Sequence, residues 1–88
     1  MKTEFRSSFA RDLRASRDRN VLARIQAVIE SVEQAETLQG VANLTKLQGG
    51  NNFYRIRVGD YRIGIVVDSE TVVFVRCLNR REIYRYFR

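Results

Sequence analysis

Arg55, Arg57 and Arg62 stand in the run Tyr54-Arg55-Ile56-Arg57-Val58-Gly59-Asp60-Tyr61-Arg62, at every second position on either side of a tight loop. Guanidinium forks bind phosphate in bidentate fashion and stay charged at physiological pH, so the chemistry these residues suit is holding an anion. A second group, Arg80, Arg81, Tyr84, Arg85 and Tyr86, interleaves arginine with tyrosine. That mixture suits nucleic acid, with arginines on phosphates and a ring stacked on a base. The chain has no His, which removes imidazole dyads, triads and His-based zinc sites. Its one cysteine, Cys77, has no internal disulfide partner and reads as a small buried hydrophobe.

The wider composition supports a phosphate-facing surface. Of 16 Lys+Arg in 88 residues the lysines are Lys2 and Lys46, leaving 14 arginines against 10 Asp+Glu, for a net charge of +6. Residues 1–44 hold seven basic and six acidic side chains, whereas residues 45–88 hold nine and four, so the excess belongs to the C-terminal half. With 44% apolar residues the length fits a single domain spanning residues 1–88. No apolar run approaches the roughly 20 residues of a membrane span and no signal segment follows Met1, so a cytoplasmic protein is expected.

The elements that must position these residues change period once, near residue 50. Lys2-Thr3-Glu4-Phe5 alternates like a short strand. Ser7 or Ser8 would cap a short helix running to about Ser16, with Phe9, Ala10 and Leu13 as its apolar stripe. Asp18 or Asn20 would cap a longer helix to about Glu36, where Val21, Leu22, Ile25, Val28, Ile29 and Val32 share one face. Leu38, Val41 and Leu44 are expected in an irregular connection lying on the core.

After the turn-rich Gly49-Gly50-Asn51-Asn52, strands are expected over 53–58, 61–68 and 71–78, joined by two-residue loops at Gly59-Asp60 and Ser69-Glu70. A helical or frayed tail follows over 80–87, with Phe87 docked on the core and Tyr84 either docked there or turned out to stack on a base. The fold class is therefore α+β: a short N-terminal strand, two helices on one face of an antiparallel sheet, a three-stranded meander and a short tail helix.

The two-residue loop sets the register. It pairs Val58 with Tyr61, Arg57 with Arg62, Ile56 with Ile63 and Arg55 with Gly64. Alternation then sends Tyr54, Ile56, Val58, Ile63, Ile65 and Val67 to the helices and gathers the three arginines on the other face. Like charges across a ladder are unfavourable, so a bound anion accounts for the cluster, although arginines fanning into solvent are the alternative. Gly64 would leave the sheet surface low enough for a ligand to reach the backbone. Arg76 is expected near the core face as a snorkelling edge residue.

Leu44-Thr45-Lys46-Leu47-Gln48-Gly49, Tyr54 to Ile63, Val72 to Val75, and Arg80-Arg81-Glu82-Ile83-Tyr84-Arg85 together resemble the RelE/ParE superfamily of type II toxins. The resemblance covers essentially the whole chain. It implies a microbial-RNase-like fold and a small antitoxin that wraps the toxin and covers its basic surface. RelE-like members cut mRNA in the A site of the 70S ribosome, whereas ParE-like members poison DNA gyrase. Arg55 and Arg57 match the two basic positions on the second strand, Arg62 the arginine after the hairpin tyrosine, Arg80 or Arg81 the basic position before the last segment, and Tyr84 the late tyrosine.

The resemblance thus implies an endoribonuclease that needs no cofactor or metal and attacks through the 2′-OH. Arg55, Arg57, Arg62, Arg80, Arg81 and Tyr84 would be its catalytic side chains, and Lys46, Arg76 and Arg85 would contact RNA. Many relatives carry His before the arginine of the last motif, where this chain has Asn79, which cannot exchange protons. Glu82 is then a candidate base. Gyrase inhibition and plain nucleic-acid binding are the alternatives.

Overall fold

The apolar stripe of residues 21–32 forms the long helix that its spacing predicts, started by Asp18, whose Oδ1 accepts the backbone N–H groups of Asn20 and Val21 at 3.0 and 3.3 Å. In the computed structural model, which describes residues 1–48 and 52–86, the chain runs β1 (Lys2–Phe5), α1 (Ser7–Ala15), α2 (Arg19–Gln34), a 3-10 turn (Leu38–Gly40), β2 (Leu44–Lys46), β3 (Phe53–Val58), β4 (Tyr61–Asp68), β5 (Thr71–Asn79) and α3 (Ile83–Tyr86). The expected turn at Gly49 to Asn51 and the docking of Phe87 lie outside the described residues. Two boundaries move: α1 has Arg6 rather than a serine at its N-cap, and α2 ends at Gln34. Ser8 instead donates from Oγ to the Val75 carbonyl at 2.6 Å, which ties α1 to β5.

The five strands form one sheet in the order β1-β5-β4-β3-β2. β1 runs parallel to β5 and the other pairs are antiparallel. Helices α1 and α2 cover one face, where Phe9, Ile25, Val32, Ile56, Val58, Ile63, Ile65, Val72 and Phe74 make the main core. Val41 from the connection is buried there too. Strand β2 was expected as irregular chain. Three residues are too few for alternation to be legible, and pairing with β3 is what makes them a strand.

The opposite face is not simply an arginine surface. Leu47 and Ile83 are buried there against Val66, Val75 and Leu78, a second small core that fastens α3 to the sheet. The apolar residues at both parities of β4 and β5 are the sequence signal for this two-sided burial.

A β-bulge between the partners of Gly64 and Ile65 decides what the end of β5 presents. Gly64 faces Arg76 while Ile65 faces Phe74, so Val75 is the extra residue and parity inverts beyond it. Cys77 therefore turns to the main core and Leu78 to the second one. Asp12 on α1 holds the bulge. Its carboxylate accepts from Arg76 Nε and Nη2 at 2.8 and 3.1 Å and from the Cys77 backbone N–H at 2.9 Å. Arg76 is thus committed to an ion pair inside the fold, not to snorkelling at an edge.

Burial, followed by the nearby Asp12 carboxylate, pushes the Cys77 thiol up from 9.0 to about 12. Below pH 9 the thiol is protonated whether the chain is folded or not, and its contribution is intact. Between about pH 9 and 12 only the unfolded chain releases the proton, so this group's contribution to stability falls with rising pH by about 1.4 kcal/mol per unit. The Cys77→Ala variant should show a shallower alkaline loss of stability in urea melts at pH 8 to 11. The native thiol should also resist an aromatic disulfide reagent at pH 8 and react on unfolding.

Candidate functional site: a basic groove beside the β3–β4 hairpin

Gly59 makes the hairpin possible, since its φ of +59° is a left-handed conformation that a side chain disfavours. The resulting register pairs Val58 with Tyr61, Arg57 with Arg62 and Arg55 with Gly64, as the loop length predicts. Arg55, Arg57 and Arg62 consequently share a groove of about 330 Å³ with Tyr84, Asn43, Leu44 and Thr45.

Each guanidinium is oriented by neutral groups. Arg62 Nη1 donates to the carbonyls of Gly59 and Tyr61 at 2.8 and 2.9 Å. Arg57 Nη2 reaches Asn43 Oδ1 at 3.5 Å, and the Arg57 backbone N–H donates to the Asn43 carbonyl at 3.1 Å. The Arg55 guanidinium lies 4.9 Å from the centre of the Tyr84 ring. Among the described residues no carboxylate lies within ion-pair distance of these three arginines. Their charge is held in place without being neutralised, which is the electrostatic requirement of an anion site.

Tyr84 reaches the groove because its neighbour Ile83 is fully buried in the second core. Ile83, which sequence reasoning did not single out, therefore anchors the tail. Tyr84 itself is 56% exposed, leaving much of its surface accessible from solvent. Asn43 was also missed. Its φ of 61° is the left-handed conformation that asparagine tolerates better than most residues, and an Asn ahead of the short Leu44-Thr45-Lys46 run is the one signal available.

Arg80, Arg81 and Glu82 occupy a neighbouring pocket of about 440 Å³ with Asp60, Tyr61 and Asn79, so they are not brought together with Arg57 and Arg62. Asn79 accepts the Arg81 N–H on its side-chain Oδ1 at 3.0 Å and the Glu82 N–H on its backbone carbonyl at 2.9 Å. It organises the turn into α3, a task suited to an Asn side chain. Three further expectations do not reach the groove. Lys46 has the parity of Tyr54, on the helix side at the sheet edge. Arg76 is paired with Asp12. Arg85 is exposed on α3 and does not line the groove. Gly64 is buried between Arg55 and Arg76 across the ladder, so its backbone is not open to a ligand.

Known proteins share both the sequence and this architecture. The family model for the ParE toxin of type II toxin-antitoxin systems, parDE, matches residues 3–84. Toxin RelE3 of Methanocaldococcus jannaschii is 40% identical over 88 residues, covering 99% of each chain. A chain of the RelB-RelE antitoxin-toxin complex from Methanococcus jannaschii superimposes with a TM-score of 0.83 at 38% identity, over 97% of this chain and 99% of that one. The archaeal RelE-RelB complex from Pyrococcus horikoshii OT3 gives 0.74 at 18% identity, over 92% and 96%, and bears on the fold alone. The chain belongs to the RelE/ParE superfamily of type II toxins. Among the described residues no helix is long and apolar enough to cross a membrane.

Proposed function

We propose that this toxin is an mRNA endonuclease that acts in the cytoplasm on the codon in the ribosomal A site and is held inactive by a cognate antitoxin. The observation that carries this reading is the groove in which Arg55, Arg57, Arg62 and Tyr84 converge, with no carboxylate among the described residues in ion-pair range of the three arginines. Relatives point the same way: the toxin at 40% identity is a RelE, and the chain at 38% identity was solved with its RelB antitoxin.

In the proposed reaction the 2′-oxygen of one ribose attacks the adjacent phosphorus, the P–O5′ bond breaks, and the upstream fragment keeps a 2′,3′-cyclic phosphate. The 2′-OH loses its proton and the departing 5′-oxygen gains one. Arg57 and Arg62 face the phosphoryl group, where positive charge fixed before reaction stabilises the extra negative charge of the transition state. Arg55 steadies the Tyr84 ring. Tyr84 stacks a base of the codon and so presents the 2′-oxygen in line. The poor supply of proton carriers in the groove suits an enzyme that borrows the ribosome to align its substrate.

Mapping of mRNA 5′ ends in a translating extract and in ribosome-free RNA tests this directly. Cuts at fixed positions within codons, seen only with ribosomes and abolished by co-expressed antitoxin, are expected. Uncut mRNA together with inhibited supercoiling would replace the reading with gyrase inhibition, which the ParE description of the matching family model favours. The role of Tyr84 has its own test. Tyr84→Phe should keep most cleavage, whereas Tyr84→Ala should raise KM or lower kcat/KM by about 5- to 100-fold, the worth of one stacked base. Equal losses in both would move the tyrosine's role from its ring to its hydroxyl.

A further inference from the structure

We infer that Ser8 and Asp12, on the helix that packs behind the sheet, form a clamp that positions Tyr84 in the groove on the other side. The inference rests on the role proposed above for Tyr84. The two residues stand four apart on α1 and so share one face of it, which is turned to β5. Ser8 Oγ donates to the Val75 carbonyl at 2.6 Å. The Asp12 carboxylate accepts the Cys77 N–H at 2.9 Å and Arg76 Nε and Nη2 at 2.8 and 3.1 Å. A bulge disrupts the ladder locally and leaves backbone groups in need of partners. α1 supplies them on both sides of Arg76, next to the extra residue Val75.

The bulge decides where the chain goes next. A regular ladder continued from the Ile65–Phe74 pair would set Gly64 against Val75 and Ile63 against Arg76. Arg76 would then enter the main core beside Ile63, and Leu78 would turn away from Leu47 and Ile83. The start of α3 would also move by one residue's rise, about 3.3 Å. With the bulge in place, Leu78 packs against the Leu47–Ile83 cluster. Asn79 takes the N–H groups of Arg81 and Glu82, and the Arg80 N–H reaches the Asp60 carbonyl at 2.8 Å. These contacts deliver the Tyr84 ring to the Arg55 guanidinium, 4.9 Å from its centre.

Register carries the clamp across the sheet as well. Arg55, Gly64 and Arg76 lie in one row over β3, β4 and β5, so the clamped residue is two strands from the arginine that meets the ring.

Stability does not call for this arrangement. The Asp12 and Arg76 side chains are only 9% and 23% exposed. Withdrawing two charges from water costs roughly what their attraction returns, and an apolar pair of similar volume commonly serves the fold as well or better. An apolar pair would not select the bulged register, because either register of β5 could bury it. The ion pair does select it, since the regular ladder would leave the Arg76 charge in the main core.

The test replaces the ion pair as a unit, because removing Asp12 alone would strand the Arg76 charge. D12L/R76M should melt within a few degrees of the parent or above it. In protein labelled with fluorotyrosine, its Tyr84 resonance in fluorine NMR, assigned with Y84F, should leave the parent position and approach that of R55A. Cleavage in a translating extract should fall about 5- to 100-fold, as in Tyr84→Ala, and adding Y84A should lower it little further. S8A keeps the ion pair and should move the same resonance part of the way. A Tyr84 resonance unmoved in both D12L/R76M and S8A would overturn the inference, as would losses that multiply when the pair and Tyr84 are changed together. The resonance reports the ring whether or not the groove cuts mRNA, so either idea can fail alone.

Discussion

Cleavage by Arg57→Ala should fall by a factor of about 10² to 10³, the usual cost of removing one preorganised donor from a site of developing negative charge. Its thermal stability should barely change. Arg57 is exposed, and its side-chain contact is a long 3.5 Å approach to Asn43, so little of the fold depends on it. Arg62→Ala should lose as much activity and also some stability, of order 1–2 kcal/mol, because its Nη1 closes two hydrogen bonds to the hairpin carbonyls of Gly59 and Tyr61. The contrast between the two is informative. A site built from both predicts equal catalytic losses and unequal melting temperatures, measured by 5′-end mapping in a translating extract and by calorimetry. Full cleavage by folded Arg57→Ala and Arg62→Ala proteins would remove the groove as the active site. Arg57→Lys should recover only part of the loss, since an ammonium supplies charge without the planar fork.

Ile83→Ala should destabilise the protein by about 2–5 kcal/mol, although it lies near the end of the chain in a helix of four residues. Its side chain is fully buried against Leu47, Val66, Val75 and Leu78, and nothing small can refill that space from a short terminal helix. The larger consequence is positional. Ile83 precedes Tyr84, so loss of its anchor frees the ring that sits over the Arg55 guanidinium. Activity should therefore drop at least as far as in Tyr84→Ala, at temperatures where the variant is still folded. Ile83→Val should cost only about 0.5–1.5 kcal/mol and keep most cleavage. Urea melts give the stability and single-turnover cleavage the activity. A variant with native activity and a much lower melting midpoint would separate α3 docking from Tyr84 placement.

Most of the scaffold was legible because it rests on periodic patterns. The 3.6-residue stripe of α2, the period-two strands β3 to β5 and the two-residue loop at Gly59-Asp60 are local signals, and local signals set the register that puts Arg57 opposite Arg62. The features that escaped have no local signature. β2 exists by virtue of its pairing with β3, and the bulge at Val75 depends on an acid 64 residues away from Arg76. Both change which side chains meet. The bulge sends Cys77 and Leu78 to opposite cores, and β2 brings Thr45 alongside Arg55 in the groove.

The arginine count shows the same division. Composition and alternation alone gathered Arg55, Arg57 and Arg62 on one face, and the absence of His alone removed imidazole chemistry from it. Which arginines serve that face was decided only in three dimensions. Arg76 is drawn into an ion pair by Asp12, Arg80 and Arg81 turn into a neighbouring pocket around Asn79, and Arg24 arrives from α2 beside the hairpin. The reason is physical: parity along a strand is fixed by the chain itself, whereas a guanidinium on a long flexible stem goes where a partner from another element holds it.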